Sequence, residues 1–580
     1  MHSSRGIRPA PIAPVILRGA LVLAILLTPC GGARAERSRI YALTHARVIV
    51  QPGKTIENAT IVLRDGLIDA VGKDLAPPAD AFVLDATGKT VTAGFIDSCT
   101  DIGQKKSEGA QGGGPTPGPP GGPSGPPGSQ AQREAPPGPV HAIGRIHPER
   151  KAIDSLVTDG PTFEKHRALG FTSALTLPTD GIFRGEAALI ALGSGTPSTN
   201  ILKAAAGQVV GFERGSFGQG YPSSLMGTIA AIRQALLDAQ RSAVWAARYQ
   251  ADPAGLPRPE YVSAFGPLAA AASGATLTIF DARSGADVRR SLALAQEFAL
   301  RPAIIASGLE AADPRLVEAL KRSGLSLILP LAYPDKPKVD DADEALAVSL
   351  RDLERWDAAP GNPAAMEQAG IPFALGTCRL PGTSDFPPNL RKALTRGLSA
   401  DAALAALTVT PARLFGMERA LGTIEPGKIA DLAVFDAAPA DGQGVFDEKA
   451  KPAYVFVDGL KLEIEQKKSK GDPSAKVDPR GTWSISVTIG SRTMNRVWTV
   501  AGTQGAYAGT AETQAGTVDF VSVKLAGNEM TVVLPPQGER PRQEIAVVIT
   551  GDTLEGSGDL PGGASYTVKG RRTSGPDGGA

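Results

Sequence analysis

Short apolar runs broken by turn residues open and close this chain, and a different pattern fills its middle. Residues 46–50, 59–63 and 67–71 read as strands, with a fourth near 82–84 leading into 90–97. Asp65-Gly66 predicts a tight hairpin, because both residues tolerate positive φ. From about residue 150 to 415, apolar strands (172–177, 276–280, 303–306, 325–329, 372–375) alternate with Ala/Leu-rich helices (226–240, 287–298, 314–323, 341–356, 389–397, 401–408). That alternation predicts a buried parallel sheet. Over some 250 residues it fits a closed β/α barrel, with any site at the carboxyl ends of its strands. Hairpin patterning returns at 421–435 and 454–459. Past Gly481 helical periodicity stops, and the runs 483–487, 520–523, 531–534 and 545–549 predict a separate antiparallel domain.

The expected organisation is a leader at 1–35, a composite β domain from 36–92 and 418–465, and a barrel at 93–417. A linker at 466–479 and an all-β domain at 480–580 complete it. Gly/Pro-rich sequence interrupts the barrel at 104–140; between 112 and 128, fifteen of seventeen residues are Gly or Pro. Such a segment has no apolar face to bury and is expected to be a mobile surface insertion.

The 580 residues carry 60 basic and 59 acidic side chains. This balance argues against nucleic acid or an anionic membrane surface as the main partner. Three Cys exclude a disulfide-rich scaffold and any CxxC zinc module, and five His are few for a metal enzyme. At the amino end, Arg5, Arg8 and Arg18 precede an apolar run at 19–27 and then Ala33-Arg34-Ala35. This is the pattern of a cleaved secretory signal, too short to span a bilayer. Export to the periplasm or outside the cell is therefore expected, with no transmembrane segment after cleavage. The mature protein would keep two cysteines, Cys99 and Cys378, in an oxidising compartment.

Thr92-Ala93-Gly94-Phe95-Ile96-Asp97 resembles the strand-one signature of the amidohydrolase superfamily. Residues 407–416 and the hairpin from Gly422 to Asp431 are similar to that family's closing helix and Gly-x-Ile-Glu-x-Gly-Lys-x-Ala-Asp turn. The closest general resemblance is to imidazolonepropionase-like amidohydrolases. It implies a distorted (β/α)8, TIM-like barrel with a small β-sandwich built from both flanks, and hydrolysis of a non-peptide carbon–nitrogen bond. It also implies divalent metal, such as zinc, held by His-x-His, two further His and an Asp.

The residues here depart from that ligand set. Cys99-Thr100-Asp101 stands where His-x-His is expected, and Gly376-Thr377-Cys378 stands for Gly-Thr-Asp. The strands resembling those that carry the other His end in Asp281 and near Ser307. His45, His141, His147 and His166 fall at no assigned strand end, although His141 and His147 lie close to the mouth by topology. Strands one and eight are barrel neighbours, so the resemblance brings Cys99 and Cys378 together. Three readings stand open: a disulfide, a soft-metal site of Cys99, Asp101 and Cys378, or two small buried thiols. Function divides likewise, between a hydrolase by resemblance and an inactive pseudoenzyme that binds a small molecule at the barrel mouth or acts as a scaffold. Gly481-Thr482-Trp483 faintly resembles small lipocalin-like barrels, and that carboxyl-terminal domain is a candidate surface for a protein partner.

Overall fold

The computed structural model describes residues 40–105, 138–213, 221–436 apart from 338 and 340, 443–464, 472, and 475–575 apart from 490–491, 504–505, 514–515, 536–542 and 560–564. The expected leader, most of the 104–140 insertion and much of the 466–479 linker lie outside the described residues.

Eight strands build the central barrel: β1 (Phe95–Thr100), β2 (Phe171–Thr176), β3 (Phe183–Ala191), β4 (Ile201–Gly211), β5 (Leu277–Asp281), β6 (Arg301–Ile305), β7 (Ser326–Pro330) and β8 (Phe373–Gly376). They pair in that order, and a hydrogen bond from the Cys378 N–H to the Cys99 carbonyl (2.7 Å) joins the two edges just past β8. Helices α1 (Gly160–Arg167), α2 (Leu225–Ala251), α3 (Phe265–Ala272), α4 (Gly285–Glu297), α5 (Pro314–Ser323), α6 (Ala342–Ala347), α7 (Leu350–Ala358), α8 (Asn362–Gln368), α9 (Phe386–Thr395), α10 (Ala400–Leu407) and α11 (Val409–Leu414) follow in chain order.

The expected regular (β/α)8 pattern is broken in one place. β3 runs antiparallel to both β2 and β4, so these three strands form a meander. Its connections, 177–182 and 192–200, are too short for the helical crossover a parallel pair needs. The helix expected over 341–356 is two helices, parted where Val348 is extended and the Ser349 side chain caps the Asp352 N–H.

Period-2 alternation sorts the barrel side chains onto two faces. Phe171, Ile190, Phe280, Ile304, Leu327 and Leu375 pack in the core shared with the helices. Leu175, Leu189, Val209, Ile279, Ile305 and Ile328 form a second core inside the barrel with Leu414, Phe415 and Leu421. Lys203, near the start of β4, donates to the Phe415 carbonyl (2.7 Å), which places this plug at the amino end. The carboxyl end is left as the mouth.

The two flanks, expected as a sandwich, form one continuous eight-stranded sheet. Leu432–Asp436 lies antiparallel to Lys89–Ala93, which is parallel to Tyr41–Gln51. Leu43, Val48, Ile61, Leu63, Val91, Leu432 and Phe456 make its core. The predicted Asp65-Gly66 turn has positive φ at both residues, and so does Asp458-Gly459 from the other flank. These turns sit back to back: a Cβ on Gly459 would lie 2.7 Å from the Gly66 Cα.

The carboxyl-terminal strands, Gly481–Ile489 through Ser565–Ser574, form an antiparallel sheet that closes on itself through pairing of Arg492–Thr503 with Ala506–Thr513. Trp483, Trp498, Met530, Val532 and Ile549 fill its core. Arg572 stacks over the Trp483 ring at 4.3 Å.

Asp431 lies at the seam of the two flanks, where its Oδ1 accepts the Asp458 N–H (2.8 Å). Burial pushes its pKa up to about 7. The folded state thus keeps a proton that the unfolded chain, with an aspartate pKa near ~3.9, gives up. Stability is therefore lost as pH rises from roughly 4 through the folded value. Asp431→Asn keeps the acceptor and removes the charge. By scanning calorimetry its thermal midpoint should match the parent protein's at low pH and exceed it by several degrees at pH values well above neutral. Equal midpoints across that range would contradict the assignment.

Candidate functional site: a bridged and arginine-filled barrel mouth

Cys99 is the penultimate residue of β1, and Cys378 follows β8 by two. Their Cα atoms are 5.2 Å apart and their sulfurs are joined in a disulfide. Two features bring the strands this close. Gly376 lies against Cys99, where a Cβ would come within 2.8 Å of the Cys99 backbone nitrogen. Asp97, fully buried in β1, accepts the Cys99 N–H (3.1 Å) and the Thr377 N–H (2.9 Å) on Oδ1. Its Oδ2 accepts the Thr377 hydroxyl (2.5 Å). One carboxylate thus ties β1 to β8 directly below the bridge.

Across the mouth, arginines surround the second degenerate ligand position. Asp281, at the end of β5, receives Arg184 of β3 on Oδ2 (2.9 Å) and Arg379, just past β8, on Oδ1. Arg379 also donates to the Ala306 carbonyl (2.8 Å) and the Ala282 carbonyl (3.1 Å), so it spans the opening from β8 to β5 and β6. Arg283 bridges outward to Glu213 (2.8 Å). Burial pushes Asp281 up, but the charges of Arg184 and Arg379 outweigh it and hold the carboxyl below its usual range. A carboxylate this enclosed is stable only while its partners remain, since removing one partner leaves a buried charge.

Ser307 belongs to a separate turn. Its N–H and hydroxyl both donate to Glu310 Oε1 (2.6 Å each), and Asn362 donates to Oε2 of the same buried glutamate (3.0 Å). Asp101 is exposed beyond the end of β1 and joins neither group. The histidines stay apart as well. His141 accepts the Ile143 N–H (3.0 Å), His147 bonds the Gly144 carbonyl (2.8 Å), and burial pushes both below their usual pKa. His166 approaches Asp97 only to 3.5 Å, and His45 lies beside Asp85.

These donors do not fit a divalent metal. The two sulfurs are bonded to each other and offer no thiolate, so the trio Cys99, Asp101 and Cys378 is not formed. The Asp281 carboxylate is occupied by two guanidinium groups, and Ser307 is neutral. Among the described residues, no group of three or more His, Cys, Asp or Glu is placed to hold a metal ion. Of the positions singled out in the sequence, Cys99 and Cys378 are brought together and Asp281 meets the arginines, whereas Ser307 and Asp101 join neither group. Sequence reasoning missed Asp97, Arg184 and Arg379, whose roles depend on partners far away in sequence.

Because the bridge spans 279 residues, the loop-entropy account gives it a stabilisation of roughly 5–6 kcal/mol. The double variant Cys99→Ser/Cys378→Ser should therefore show a clearly lower unfolding midpoint in urea. An excess of chelator should leave the parent protein's midpoint unchanged. An unchanged midpoint in the double variant would mean that the bridge is not formed.

Residues 361–462 match the sequence profile of the amidohydrolase family. The imidazolonepropionase of Shouchella clausii (strain KSM-K16) is 43% identical over 83 residues, which is 13% of this chain and 18% of that protein. The imidazolonepropionase of Rhizorhabdus wittichii (strain RW1) is 40% identical over 76 residues, 12% of this chain and 19% of that protein. This chain therefore matches less than a fifth of the length of either relative. The crystal structure of an amidohydrolase from Thermotoga maritima MSB8 superposes over 73% of this chain and 99% of its own, with a TM-score of 0.57 at 21% identity. The closing segment is thus similar in sequence to amidohydrolases, and the barrel shares its fold with a solved amidohydrolase structure.

Proposed function

We propose that this protein is a non-hydrolytic member of the amidohydrolase superfamily, an exported barrel whose mouth binds a ligand or partner without metal-dependent chemistry. The observation that carries the reading is the Cys99–Cys378 bridge, which takes two of the family's ligand positions out of coordination chemistry. Arg379 and Arg184 support it by placing positive charge where an activated hydroxide would need a cationic metal beside it. A disulfide also accords with an oxidising compartment and hence with the leader read at 1–35.

The competing reading is hydrolysis of a non-peptide carbon–nitrogen bond. It is favoured by the match over 361–462 and by the imidazolonepropionase relatives. Purified protein should be assayed against dipeptides, hydantoins and imidazolones, with and without reductant and added zinc or manganese. The proposal expects no turnover above the buffer rate in any condition. Turnover that survives repurification would establish the hydrolase instead.

A further inference from the structure

A cleft of about 380 Å³ opens between α7 and α9, within the usual range for small-molecule sites. Tyr333, shortly after β7, and Trp356 of α7 give it aromatic walls, and proline rings line much of the rest. The polar wall comes from one face of α9, where residues three and four apart point the same way. Arg391 and Lys392 lie there, with Arg396 just beyond the helix end.

The charges of this wall are not balanced. Arg396 pairs with Asp357, the one acid in the cleft. Lys392 reaches only the neutral Asn389 side chain (3.0 Å). Arg391, a half-buried residue, makes no ion pair among the described residues. Two positive charges are thus uncommitted beside an apolar surface. An anion entering the cleft would supply the counter-charge that both side chains lack there.

α7 adds a second observation. None of its residues is buried, yet it carries Leu350 (71% exposed) and Trp356 (36% exposed). Of these two, Trp356 lines the cleft, held there by a helix that buries none of its own residues.

We propose that this cleft binds a small organic anion with a flat apolar body, of the aromatic carboxylate class. The carboxylate would sit between Arg391 and Lys392, and the ring system would lie against Trp356 and Tyr333. The cleft shares no lining residue with the disulfide and arginine cluster of the mouth, so the proposal does not rest on the reading given there.

Isothermal titration of the full-length protein with 2-naphthoate tests it, with 2-naphthalenemethanol and acetate as the neutral and ring-free probes. Saturable binding of 2-naphthoate is expected, at least about tenfold tighter than either control, where tenfold corresponds to ~1.4 kcal/mol. The Arg391→Gln/Lys392→Gln double variant and Trp356→Ala should each weaken it about tenfold or more. Neither change touches a buried core position, and an unchanged thermal midpoint would verify the fold. Failure of 2-naphthoate to saturate would overturn the proposal. So would equal affinity in the variants, which would place the anion elsewhere, or acetate binding as tightly as 2-naphthoate.

Discussion

The seam between β1 and β8 is the constraint on which the rest of the barrel depends. A closed barrel has no free edge, so its first and last strands must meet at hydrogen-bonding distance after some 280 residues of intervening chain. Asp97 fixes the register by accepting from both strands, Gly376 lets the backbones approach, and the Cys99–Cys378 bridge makes the closure covalent. Enzymes of the resembling family place a metal at this end of the barrel. Here a sulfur–sulfur bond links the same two strands, and a bonded pair of sulfurs cannot also serve as two thiolate ligands.

The arginines extend that closure across the mouth. Arg379 follows directly on Cys378, so the bridge that fixes β8 also fixes the point from which the guanidinium reaches Asp281 and the ends of β5 and β6. Arg184 arrives from the opposite direction because β3 is antiparallel, which puts the start of that strand at the mouth. The irregularity of the barrel therefore has a local consequence: it delivers a cation that a regular parallel strand would have delivered only from its far end. The result is a mouth held by charge pairs and one covalent bond.

Much of this was legible in the sequence, and the parts that were not share a physical cause. The strands rich in Ile, Leu and Phe (β5, β6, β7 and β8) were expected close to where they stand, as were the Asp65-Gly66 turn and the antiparallel carboxyl-terminal domain. β3 and β4 were missed because Ala and Gly make up much of Phe183–Ala191 and Ile201–Gly211, leaving neither a β-branched run nor clean alternation. The closeness of Cys99 and Cys378 came from the family resemblance, which supplied the adjacency of strands one and eight. The roles of Arg184 and Arg379 had no local signature. Each meets Asp281 across roughly a hundred residues, and an isolated Arg reads as a solvated surface charge until the fold is known.

We propose that a disulfide and guanidinium groups stand at this mouth in place of a metal. Elemental analysis of protein purified without chelator or reductant tests it most directly. Transition-metal content far below one atom per chain is expected. Close to one or two tightly held atoms per chain, released together with loss of the folded barrel, would contradict it.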